Sequence, residues 1–124
     1  MNKPANSLRL ATLGLILLTA SAAKAEAGEK PAGEADRGAA AIQRYGCGAC
    51  HRIPGIPGAH GIVGPSLAKM AERGYVGGIL ANTEPNLIRW LLDPPRLDPT
   101  TAMPNVGLSE AEARDIAAYL YTLH

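Results

Sequence analysis

Cys47-Gly48-Ala49-Cys50-His51 contains the only two cysteines of the chain, three residues apart and followed at once by a histidine. Residues three apart lie on one face of a helical turn. Both sulfurs therefore reach the same side, where they can form thioethers with the two vinyl groups of a haem. The next side chain, His51, then projects beneath the ring and offers an imidazole to the iron. Gly48 and Ala49 are small and do not clash with a macrocycle. C-x-x-C-H is the attachment signature of a c-type haem. Three other readings are weaker. A thiol–disulfide redox pair expects a strand before it, within a βαβ pattern, and none precedes Cys47. A structural zinc site needs four N/S ligands, and no second cysteine pair exists. A disulfide closing so short a loop stabilises little.

The rest of the chain suits a small covalently stapled domain. It has 124 residues, 47% hydrophobic and 19% charged, with net charge +1. That size is enough for one domain. The near-zero charge argues against a nucleic-acid partner recognised through phosphate neutralisation. Glycine and proline are frequent (14 and 10) but not periodic, which points to many tight loops. Lys3 and Arg9 precede an apolar run, Leu10 to Ala20, and an Ala23-Lys24-Ala25 step follows. This is the pattern of an export signal over residues 1–25, cut after Ala25. A run of about 11–14 apolar residues falls short of the roughly 20 that span a bilayer. Cleavage would leave no membrane span, whereas an uncut segment would act as an anchor. Removing Lys3, Arg9 and Lys24 leaves nine basic side chains against eleven acidic ones. The expected location is the periplasm.

Residues 26–33 read as a flexible lead-in and 34–124 as the domain. Ala35, Ala39, Ile42 and Tyr45 recur at helical spacing, with Gly46 able to end that helix. Arg52 to Gly64 is too rich in Pro and Gly for a helix or a central strand. Ser66 can cap a short helix through Arg73, and Thr83 another through Leu92, stopped by Asp93-Pro94-Pro95. Arg96 to Gly107 reads as loop. Ser109-Glu110-Ala111-Glu112 is a capping box opening a last helix, with Ala113, Ile116, Ala117, Leu120 and Leu123 as its apolar stripe. No strand is expected. The class is all-α: three to five helices with long Pro/Gly loops. Loops this long imply that they wrap something.

A second axial ligand has four candidates: Met103, Met70, His60 and His124. Met103 stands in a loop beside Pro104, where a thioether can point inward without bending a helix. Met70 sits at a helical position that suits core filling. His60 is only nine residues from His51, and His124 is terminal. The imidazole of His51 needs an acceptor for its other N–H, and the Pro65 carbonyl suits that role. Arg73, Tyr75 and Trp90 can donate to haem propionates, with Trp90 equally readable as core. Tyr45 and Tyr119 are expected to pack the first helix on the last by ring contact. Within the loop, Ile53, Ile56, Ile62 and Val63 are apolar. Part of this group is expected to line the haem and the rest, with Ile56 and Ile62 as test positions, to form a docking rim.

Taken together, these residues resemble the class I monohaem cytochromes c, over about residues 34–124. The order is a helix with Gly38 and Tyr45, the Cys47–His51 motif, Gly64-Pro65-Ser66-Leu67, Met103-Pro104, and a last helix with Tyr119. Asn82 to Trp90 and Thr101 to Pro104 are similar to small bacterial respiratory-chain members. The resemblance implies one haem c held by Cys47 and Cys50, iron ligated by His51 and Met103, and Pro65 supporting His51. It also implies that Gly38 allows close helix packing. Mitochondrial-type members carry a lysine-rich docking face, but residues 26–124 hold only Lys30 and Lys69. The implied function is single-electron transfer between redox protein partners, with no bond chemistry. A fixed haem subunit of an oxidoreductase or terminal oxidase is the alternative. A ligand-binding or peroxidatic haem protein would require that Met103 leave the iron open.

Overall fold

The computed structural model describes residues 33–124, together with Met1. Except for Met1 and Gly33, the expected export signal and lead-in lie outside the described residues. Four helices follow in order: α1 (Ala35–Arg44), α2 (Glu84–Leu92), α3 (Pro94–Leu97) and α4 (Glu110–Leu120). A two-residue ladder, β1 (Tyr75–Val76) with β2 (Leu80–Ala81), pairs antiparallel. The expectation of no strand is corrected to this minimal hairpin, which Gly77-Gly78-Ile79 closes because both glycines take positive φ. It does not alter the helical class.

The principal packing is α1 across α4, with α2 also on α4. Gly38, Ala41 and Ile42 form the buried face of α1. Ala113, Ile116, Ala117 and Leu120 form that of α4, at the 3.6-residue period read from the sequence. Ile42, Leu87 and Ile116 are among the largest fully buried side chains, each contributing about 1.5–3 kcal/mol through removal from water. The crossing is close because position 38 has no side chain. A Cβ there would lie 2.0 Å from the Asp115 carbonyl oxygen and 3.0 Å from Tyr119 Cβ.

Polar ties fix the same crossing. Arg37 donates from Nε (2.8 Å) and Nη2 (3.0 Å) to the two carboxylate oxygens of Asp115, and the Glu34 N–H donates to Asp115 at 2.8 Å. Asp115, on α4, thus satisfies a backbone donor at the start of α1, where Glu34 itself makes no side-chain cap. At the other end of the crossing, Glu112 completes the α4 capping box with Ser109 and accepts from the Tyr45 hydroxyl at 2.9 Å. Arg44 pairs with its second oxygen and lies over the Tyr45 ring, 5.2 Å from the centroid. Tyr119 donates to the Pro54 carbonyl at 2.6 Å. The expected Tyr45–Tyr119 ring contact is therefore replaced by two separate hydroxyl ties, one between the helices and one from α4 to the loop.

The helix expected over Ser66–Arg73 shrinks to a single 3-10 turn, Met70–Glu72. Ser66 Oγ accepts from the Ala68 N–H in a local turn rather than capping a helix. Lys69 has φ 56, which breaks helical continuation. The backbone groups are instead used by distant partners: Leu67 N–H by Arg52 O, Ala71 N–H by Leu123 O, and the Ser66 and Ala68 carbonyls by Arg73. Thr83 occupies the N-cap of α2 but makes no side-chain cap bond. Arg96 and Leu97, expected as loop, belong to the one-turn α3. Helix α4 stops at Leu120.

Gly38→Ala is expected to force the helices apart and cost about 1–3 kcal/mol, as overpacking does, read as a lower denaturation midpoint at unchanged m-value. A second prediction concerns acid. The Ser109 hydroxyl and N–H, then Tyr45 and Arg44, hold the Glu112 carboxyl down at about 2 from its ordinary 4.5. A depressed carboxylate contributes stability that is complete above 4.5 and is lost as pH falls toward 2. Thermal midpoints across that window should fall more steeply for the wild type than for Glu112→Gln, which should start lower.

Candidate functional site

Helix α1 ends at Tyr45 and Gly46, and the chain turns directly into a 3-10 segment, Cys47–Ala49. His51 N–H bonds Cys47 O at 3.0 Å, so the motif is one tight turn seated on the end of α1. The loop after it folds back on this turn. Gly61 N–H donates to Gly48 O (3.0 Å), Gly64 N–H to Cys50 O (2.8 Å) and Leu67 N–H to Arg52 O (2.8 Å). These bonds carry the Gly64-Pro65 peptide against the imidazole of His51. Nδ1 of His51 lies 2.8 Å from the Pro65 carbonyl oxygen; a carbonyl can only accept, so Nδ1 donates, and Nε2 is the ring nitrogen that this bond leaves unengaged. Gly64 is required beside it: a Cβ there would stand 2.3 Å from His51 Cε1. The sequence reading paired Pro65 with His51 but did not find this role for Gly64. Its signal, a glycine one residue before the acceptor carbonyl, becomes meaningful only once the ring is located.

The turn opens onto a cavity of about 460 Å³, a size typical of small-molecule and cofactor sites. Cys47, Cys50, His51, Pro65, Tyr75, Trp90 and Met103 all line it. So do Met70 and Arg73, whereas His60 and His124 do not. His60 is exposed and bridges to Arg52 beside a separate shallow hollow. Trp90 is both a core residue, 7% exposed, and a wall of the cavity. Arg73 is the one charged wall residue among the described residues, and its Nη2 is held by the Ser66 and Ala68 carbonyls. Ile53 and Val63 line the cavity, but Ile56 is buried at 6% and faces the second hollow. Ile56 is thus removed from the expected docking rim.

Two further residues hold the wall. Asn82 donates from Nδ2 to Met70 O (2.8 Å) and Arg73 O (3.0 Å), and its Oδ1 accepts from the Tyr121 hydroxyl (3.0 Å). It ties the Met70–Arg73 wall to the end of α4. Sequence reading found neither role: Asn82 stood there only as the first residue of the Asn82–Trp90 stretch, and Tyr121 was not singled out.

The chemistry of the cavity fits a covalently held haem. Its walls are mainly aliphatic and aromatic, and a thiol pair and one imidazole stand among them. Burial, first of all, pushes the Cys47 thiol up, which is the opposite of the depressed value that makes a dithiol reactive in exchange. Cys47 and Cys50 are both free. Among the described residues, no group of three or more His, Cys, Asp or Glu is placed to hold a metal ion by itself.

The family profile described as "Cytochrome c" matches residues 35–124. The chain belongs to the cytochrome c family. That membership carries haem-based electron transfer and a covalently bound haem, and Cys47 and Cys50 have the spacing for the attachment. The chain is also similar to "Cytochrome c oxidase subunit 2" of Alkalihalophilus pseudofirmus, with 31% identity over 90 residues, 72% of this chain. It spans about a quarter of that protein's length. Among the described residues of this cytochrome c domain, no helix is long and apolar enough to cross a membrane.

Gly64→Val should press a side chain into the His51 ring. The expected outcome is an about 10–100-fold loss of correctly assembled haem protein, the scale on which disturbing a metal ligand's support acts, seen as a weakened haem spectrum with helicity preserved.

Proposed function

We propose that this cytochrome c is an exported, periplasmic single-electron carrier whose one haem c is attached through Cys47 and Cys50 and closed axially by His51 and Met103. The observation that carries this reading is the convergence of those four residues on one largely apolar cavity, with Nδ1 of His51 on the Pro65 carbonyl. Bound there, haem supplies a one-electron couple at its iron. The residues supply the rest. Cys47 and Cys50 prevent dissociation. Pro65 keeps His51 oriented, with Nε2 as the ligating atom. Met103 is half-buried, on a loop pinned by its N–H to Thr101 Oγ1 (3.2 Å) and stiffened by Pro104. Met70 is enclosed at 3% exposure among core residues, which favours Met103 as the ligand. Ile42, Leu87, Leu91 and Ile116 exclude water from the cavity floor. A histidine–thioether pair raises the reduction potential relative to two nitrogen ligands. A filled sixth position leaves no site for oxygen or substrate, so no bond chemistry is expected.

The second reading, a fixed electron-entry subunit of an oxidase or other oxidoreductase, draws on the resemblance to part of an oxidase subunit. The same haem site would serve it. Isolation of the protein from its source with or without a stoichiometric partner separates the two.

Optical spectra of the oxidised and reduced protein test the ligation. The expected result is a weak far-red ferric band that Met103→Ala abolishes, with no carbon monoxide binding by the wild type. A wild type that lacks the band and binds carbon monoxide readily would replace the carrier by a sensor or a peroxidatic catalyst.

A further inference from the structure

Asn82 stands behind the cavity wall and gathers the backbone of one short segment. Neither Asn82 nor Tyr121 lines the cavity, whereas Met70, Arg73, Tyr75, Val76 and Gly77 do. Asn82 donates from Nδ2 to the Met70 carbonyl (2.8 Å) and the Arg73 carbonyl (3.0 Å), and from its backbone N–H to the Gly74 carbonyl (2.9 Å). Two cavity-lining residues therefore have their carbonyl oxygens directed to a side chain outside the lining. Carbonyls only accept, so the amide nitrogen is the group that meets them. The amide oxygen is left toward Tyr121, whose hydroxyl donates to it at 3.0 Å. A single orientation of the amide satisfies all three partners.

The segment so held has little regular structure of its own, only the 3-10 turn Met70–Glu72 and the two-residue ladder. It starts at Lys69, whose φ of 56 is unfavourable for a residue with a Cβ. Its other ties are the Ala71 N–H on the Leu123 carbonyl and the Arg73 guanidinium on Ser66 and Ala68. Met70 O also takes the Arg73 N–H, at a longer 3.3 Å. The direction of these carbonyls matters to whatever the cavity holds, because a dipole in a water-poor site acts at low effective dielectric. A carbonyl oxygen turned toward an iron favours the ferric state, which carries one more positive charge. One turned away withholds that support.

We propose that Asn82, oriented by the Tyr121 hydroxyl, is a positioning residue for electron transfer: it holds the Met70 and Arg73 carbonyl dipoles away from the haem cavity and so poises the couple toward the reduced state. This deepens the electron-carrier reading and rests on it. Hydrogen bonds behind the ligands and fixed protein dipoles are levers on the potential of a haem, alongside the axial ligands themselves. Without Nδ2 the two carbonyls lose their outward anchor, and their dipoles turn toward the positive iron. The amide in turn keeps its orientation only while Tyr121 occupies its oxygen.

Spectroelectrochemical titration of the haem-loaded protein tests this. Asn82→Ala should shift the one-electron equilibrium about tenfold toward the oxidised form, which corresponds to about 59 mV. Tyr121→Phe keeps Nδ2 but frees the amide to rotate, and should shift it the same way by less. Both should retain the wild-type ligation bands, so that the shift belongs to the wall and not to the ligands. A chain lacking Leu123 and His124 loses the Ala71 tie and loosens the same segment without touching Asn82; its potential should stay that of the wild type. An unshifted Asn82→Ala, a shift toward the reduced form, or a shift accompanied by loss of the ligation bands would overturn the proposal. So would an equal shift in the shortened chain, since loosening alone would then account for it. If Asn82→Ala fails to assemble, an unshifted Tyr121→Phe overturns the proposal by itself. Failure of dithionite and ferricyanide to cycle the wild-type haem would instead remove the carrier reading.

Discussion

The contact between the Gly38 backbone and the Asp115 carbonyl sets the spacing from which the remaining structure is built. With no Cβ in the way, α1 and α4 approach closely enough for Ala41, Ala113 and Ala117 to be sealed. That spacing brings Arg37 and Glu34 onto Asp115 at one end and Tyr45 and Arg44 onto Glu112 at the other. Since α1 runs straight into the cysteine turn, fixing its angle on α4 also fixes where Cys47 and His51 stand. The helix crossing is far from the imidazole in sequence terms, yet it is what holds the imidazole's anchor point.

The loops then become structure through hydrogen bonds to that turn, not through regular elements. Buried or half-buried backbone donors must find acceptors. Between residues 61 and 71 they find Gly48, Cys50, Arg52 and Leu123. Arg73 and Asn82 take up carbonyls that a helix would have used internally. The cavity wall is therefore made of chain that is irregular but tied at these points, which suits a site whose ligands must not move when an electron arrives or leaves.

Charge is distributed to match. Carboxylates at the α1–α4 crossing are held ionised by specific partners: Asp115 by the Arg37 guanidinium and then the Glu34 N–H, Glu112 by Ser109 and then Tyr45. The exposed residues of the cavity lining, Val63, Tyr75 and Val106, have the opposite character, aliphatic or aromatic, with Arg73 the one charged wall residue among the described residues.

The local facts were legible in sequence because local rules govern them. The cysteine–histidine spacing, the Ser109–Glu112 capping box, the stripe of α4 and the stop at Gly46 each depend on residues within a few positions. The helical class and the family followed from these. Where the reading went astray, a distant partner outcompeted a local preference. Ser66–Arg73 has helix-compatible residues, but Arg52, Asn82 and Leu123 claim its backbone. Ile56 looks like its neighbour Ile62 on paper, yet one is enclosed and the other exposed. Thus the sequence by itself determined which groups can carry the chemistry: two thiols, an imidazole and a small set of candidate axial ligands. Only the tertiary structure decided that Met70 and Met103 reach the cavity while His60 and His124 do not, that Gly64 must lack a side chain, and that Val63 and Tyr75 stay exposed at the cavity's edge. Periodicity and spacing encode contacts a turn away, whereas these outcomes depend on chain crossings tens of residues apart.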